Sequence, residues 1–162
     1  MEQDIVYYSI IEKDNTNEHE QAMNLLESML KRFHLSTTEI IKNEYGKPYF
    51  TNNIYFNYSH SKHYIACAIS LSEVGIDIDE PRIINDEISK KYLDNVDESN
   101  RLKVWVQKEA YSKLKGIGFS IDFSTINLSS ITNKNMLIEN NKYICSIYSD
   151  KDNITFIECY ML

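Results

Sequence analysis

Val74-Gly75-Ile76-Asp77-Ile78-Asp79 is the stretch from which the chain is best read. Side chains alternate faces along a strand, so Ile76 and Ile78 point into a core while Asp77 and Asp79 project together from the opposite side. Asp is depleted in strands, and two on one face want a reason. A solvated edge strand supplies one; a site that needs two carboxylates supplies another. Downstream, Trp105-Val106-Gln107-Lys108-Glu109-Ala110-Tyr111-Ser112-Lys113 has helical spacing that sets Trp105, Glu109 and Lys113 on one stripe. Glu109 and Lys113 alone fit an ordinary surface pair. Together with the strand they offer three carboxylates and one ammonium, and magnesium is usually held by a few carboxylates together with substrate phosphates. The combination predicts a phosphate-bearing substrate handled through a hard cation.

Working outward, Ile5 to Ile11 is rich in β-branched and aromatic residues and reads as a first strand, closed by Asp14-Asn15-Thr16-Asn17. A helix follows whose apolar residues, Ala22, Leu25, Leu26, Met29, Leu30 and Phe33, recur at three and four and lay one face on a sheet. Lys31 and Arg32 near its end complement the helix dipole or meet a substrate phosphate. After the turn Asn43 to Pro48 and the segment Phe56 to Ser61, an alternating strand runs from His63 to Leu71. The Gly75 strand, a helix around Glu87 to Leu93, and a helix stopped by Gly116 and Gly118 come next. Strands are expected near Phe123 to Leu128, Met136 to Glu139, Lys142 to Tyr148 and Ile154 to Met161, forming an antiparallel sheet. The expected fold is α+β, with two interlocked halves, residues 1–73 and 74–162, meeting near Leu71 to Gly75.

The 162 residues, 43% of them hydrophobic, suffice for one compact domain or two small halves sharing an interface. A net charge of -7 argues against nucleic acid bound through a general basic surface. The three cysteines, Cys67, Cys145 and Cys159, lack paired zinc-site spacing and read as buried thiols of a reducing compartment. No apolar stretch approaches the roughly 20 residues of a spanning helix. The start Met1-Glu2-Gln3-Asp4 lacks the features of a signal peptide. These features lead us to expect a cytoplasmic, soluble protein with no membrane or nucleic-acid partner, and a monomer if the halves pair internally.

Taken together, Tyr45-Gly46-Lys47-Pro48, Phe56-Asn57-Tyr58-Ser59-His60-Ser61, Val74 to Asp79 and Trp105 to Lys113 resemble the ordered signature of the 4'-phosphopantetheinyl transferases, specifically the surfactin-synthetase-activating type. The resemblance implies a pseudo-dimer of two α+β halves with coenzyme A, the substrate, in the cleft between them. It implies transfer of the phosphopantetheine arm to a serine of an apo acyl, peptidyl or aryl carrier protein, with release of adenosine 3',5'-bisphosphate. By the same resemblance Asp77, Asp79 and Glu109 hold Mg2+. Glu109, Lys113 and Asp77 form the catalytic group, with Glu109 the base for the carrier serine. Gly46, Lys47, Pro48, Ser59, His60 and Lys108 surround coenzyme A, with Lys31 or Arg32 at its 3'-phosphate. Gly46 and Pro48 are equally turn residues, and Trp105 reads as core. The connection between the two acidic segments is shorter than in the family pattern, around Asn95 to Arg101, where the carrier is expected to approach. An acidic carrier would need a local basic patch, for which Lys90, Lys91, Arg101 and Lys103 are candidates. The competing reading is a catalytically idle module that binds coenzyme A or a carrier.

Overall fold

The computed structural model describes residues 1–2, 4–36 and 39–161. Strand β1 (Ile5–Glu12) leads to helix α1 (Glu18–Arg32), whose start is capped by the Asn17 side chain accepting from the His19 and Glu20 amides. Strands β2 (Ile40–Lys42) and β3 (Pro48–Phe50) form a small hairpin. Strands β4 (Tyr55–His60), β5 (Tyr64–Ser70) and β6 (Val74–Asp79) follow, then helices α2 (Asp86–Tyr92) and α3 (Glu98–Lys115). Gly116 ends α3 in the left-handed region at φ 65°, as the glycine stop predicts. Strands β7 (Asn135–Glu139), β8 (Ile144–Ser149) and β9 (Thr155–Glu158) close the chain.

Two sheets stack face to face, ordered β4-β5-β1-β9 and β6-β8-β7. Alternation along the strands sorts the cores. Tyr7, Ile65, Cys67 and Ile69 face α1, through Leu25, Leu26, Met29 and Leu30. Val6, Tyr8, Ala66 and Ala68 face Ile76, Ile78, Cys145 and Ile147 of the second sheet. The far side of that sheet receives α3, with Tyr148 against Ala110 and Leu114, and Ile144 against Leu102 and Val106. The order is therefore helix, sheet, sheet, helix. The three cysteines are free and buried. Among the described residues no helix is long and apolar enough to cross a membrane.

Two expectations change. Phe123 to Leu128 forms short 3-10 turns (Phe123–Thr125 and Leu128–Lys134) because Asp122 and Asn127 accept from the Ser124 and Ser129 amides, a local bonding that displaces a ladder. The final strand does not join the second sheet: β9 pairs parallel with β1, with Thr155 N–H donating to Asp4 O and Cys159 N–H to Tyr8 O. The end of the chain thus returns to the first sheet, across the division expected after residue 73.

Candidate active site

The site lies where two sheet edges meet. Strands β4 and β6 each end a sheet, and side chains join them: Ile76 N–H donates to Asn57 Oδ1 at 2.9 Å and Ile78 N–H to Ser59 Oγ at 3.3 Å. The Ser59 hydroxyl in turn donates to Asp77 Oδ1 at 2.8 Å. His60, next along β4, points to the opposite face, where its Nδ1 lies 3.0 Å from Glu18 Oε2 at the start of α1.

On the other side of β6, Gly75 lets α3 approach. A Cβ there would stand 2.2 Å from Ala110 O and 2.3 Å from Leu114 N. Because Gly75, Asp77 and Asp79 share a face of the strand, a helix seated on the glycine projects Glu109 and Lys113 over the aspartates. Lys113 Nζ reaches Asp77 Oδ1 at 2.6 Å. Arg82 Nε donates to Asp79 Oδ2 at 2.8 Å, and Asp79 Oδ1 accepts from Glu80 N–H.

These side chains line a cleft of about 480 Å³ that brings together Pro48, Ser59, His60, Asp77, Asp79, Trp105, Glu109 and Lys113. An adjoining hollow of about 180 Å³ includes Gly46, Lys47 and Pro48 and shares Lys113 with the cleft. A recess of about 580 Å³, walled by Tyr92, Ile121 and Phe123, shares Trp105 and Glu109 with it. Glu109 stands on the boundary between a polar cleft and a more apolar one. Burial first, then the charge of Asp77, pushes its carboxyl up to about 6 from the usual 4.5; Asp79 adds to the rise while Lys113 and Arg82 oppose it.

Four expected cations are not brought to this cleft. Lys108, 1% exposed, donates to Tyr92 O and Phe123 O, both at 2.7 Å, and reaches Asp94 at 3.4 Å. It lies off the stripe of Glu109 and Lys113, and a buried ammonium must be paired in this way. Lys31 pairs with Glu27 and Arg32 donates to Tyr160 O. Both stand about 20 Å along α1 from the end that meets His60, at 1.5 Å per residue. Lys47 borders the hollow, but its ammonium donates to Glu73, Val74 O and Leu114 O, which uses all three of its N–H groups. Of the candidate basic patch, Arg101 bonds Asp86 and Ile84 O and Lys103 pairs with Glu139. Lys91, near the apolar recess, lies over the Tyr92 ring at 4.9 Å.

Sequence reasoning assigned no part to Asn57, which bonds across the junction, or to Arg82. The signal for Arg82 was present: a cation three residues after Asp79, just past Pro81, in a chain leaving its strand.

The carboxylates offer only oxygen donors, and their mutual repulsion is the kind a hard divalent cation relieves, so the residues suit one. Among the described residues, however, no three His, Cys, Asp or Glu side chains form a ready-made metal cage. Lys113 and Arg82 hold two of the three acids.

Comparison with known proteins gives the same direction as the motifs. The chain is similar to the 4'-phosphopantetheinyl transferase gsp of Aneurinibacillus migulanus, 32% identical over 113 residues that cover 62% of this chain and 48% of the relative. It is 29% identical over 99 residues to the 4'-phosphopantetheinyl transferase Sfp of Bacillus subtilis strain 168, covering 52% and 44%. The chain spans about half the length of the curated relatives it matches. No family model matches it.

Proposed function

We propose that this chain is a magnesium-dependent transferase that moves the 4'-phosphopantetheine group of coenzyme A onto a serine of an apo carrier protein, releasing adenosine 3',5'-bisphosphate. The observation that supports the reading best is the meeting of Asp77, Asp79, Glu109 and Lys113 in one cleft. Similarity to named phosphopantetheinyl transferases supports the same chemistry.

In this reading the serine oxygen attacks the β-phosphorus of coenzyme A, and the bond to the α-phosphate oxygen breaks. Charge gathers on phosphate oxygens, so catalysis is chiefly positioning and electrostatics. Asp77, Asp79 and Glu109 would hold magnesium, which when bound neutralises charge on the pyrophosphate. Glu109 borders both the polar cleft and the apolar recess, so it can take the serine proton from one side while phosphates lie on the other. Lys113 pairs with Asp77 and would face the leaving phosphate; Ser59 donates to the same Asp77 carboxylate. His60, paired with Glu18, stands at the cleft wall and would offer a further donor to a phosphate.

The test is intact-mass analysis of a panel of apo carriers incubated with the protein and coenzyme A, with magnesium or with chelator. One added phosphopantetheine, only with magnesium, is the expected result. Asp77→Ala and Glu109→Ala should each lower turnover by roughly a hundredfold or more. No mass gain on any carrier overturns the reading, and near-normal turnover in either variant overturns its residue assignment.

A further inference from the structure

The two cations at the acidic cluster differ in permanence. Lys113 projects from the middle of α3, is 30% exposed, and meets an Asp77 carboxylate that is 12% exposed and already bonded by Ser59. Arg82 stands on the stretch between β6 and α2, is 47% exposed, and is bonded to Asp79 through Nε. Asp79 keeps its Glu80 amide bond whether or not Arg82 stays. A half-exposed ion pair of this kind is weak, so a competitor of higher charge displaces it readily. Arg82 also acts electrostatically on Glu109.

We propose that Arg82 is the resident counter-cation of Asp79, occupying that carboxylate until a divalent cation displaces it, and that it thereby sets the metal affinity of the site. The inference rests on the metal-binding role given above to Asp77, Asp79 and Glu109. Without metal, Arg82 and Lys113 neutralise two of three clustered acids. On metal entry Arg82 swings outward, because the guanidinium and a dication repel each other, while Lys113 remains on Asp77. The chain thus carries its own competitor for the cation.

Mn2+ serves as the probe, its free concentration read by electron paramagnetic resonance with the full chain and neither coenzyme A nor carrier present. Arg82→Gln should bind Mn2+ about threefold to fivefold more tightly than the parent, matching the loss of an exposed ion pair, and the gain should shrink as salt screens the charge. Arg82→Lys, which keeps the charge, should stay near the parent. Asp79→Asn in the parent should weaken binding, tying the ion to this cluster. Damage to the fold would weaken binding, whereas the inference requires it to tighten. Equal affinity of parent and Arg82→Gln, with Asp79→Asn still weakening both, overturns the counter-cation role alone. Absence of Mn2+ binding in every form, or binding indifferent to Asp79→Asn, overturns the metal site and this inference with it.

Discussion

Glu109 concentrates the chemistry of the cleft in one titration. Its carboxyl ionises near 6 because burial and Asp77 outweigh Lys113 and Arg82. The fold therefore binds this proton more tightly than the unfolded chain does. Its contribution to stability is full below the ordinary 4.5 and is lost as pH rises through about 6. Removing the Lys113 charge should raise the Glu109 value further. Carboxyl-carbon NMR titration of Lys113→Met without metal reads this directly, and a lower value would mean that Lys113 does not face the carboxyl. The four central residues were legible because strand alternation and helical stagger are geometric rules. Lys47 and Lys108 were not: a lysine in a motif reads the same whether its ammonium meets a phosphate or three oxygens of its own chain.

At the scale of elements, the contact between β6 and α3 sets the site. Gly75→Ala puts a methyl group 2.2 Å from Ala110 O, and backbone on both sides leaves it no room. Overpacking of this kind should cost about 3 kcal/mol and lower the melting temperature by roughly 6–12 °C. Circular dichroism on heating checks it; an unchanged melting point would show that the helix lifts freely from the strand. In the sequence Gly75 reads only as part of a strand, because the close approach it permits exists once α3 is packed on it. Helix α1 and strands β1, β5 and β6 were legible from apolar period alone. Phe123 to Leu128 misled because its aromatic and β-branched residues suit a strand, while Asp122 and Asn127 close local turns first.

Across the whole molecule, the two sheets share one core. Val6, Tyr8, Ala66 and Ala68 pack with Ile76, Ile78, Cys145 and Ile147, and β9 belongs to the first sheet though it follows β8 in the chain. Residues 1–73 and 74–162 made separately should each lack a cooperative melting transition, and mixing them should restore one; a cooperative transition in either fragment alone would contradict the shared core. That sharing was only partly legible, because periodicity tells which face is buried and not which sheet covers it. The join between β4 and β6 carries one more consequence. An open sheet edge is a template on which other chains can add as strands, and here two such edges shield each other through Asn57 and Ser59. Each side chain satisfies one edge amide of β6, so the residues that steady the aspartate strand also occupy hydrogen-bonding groups that an added strand would use.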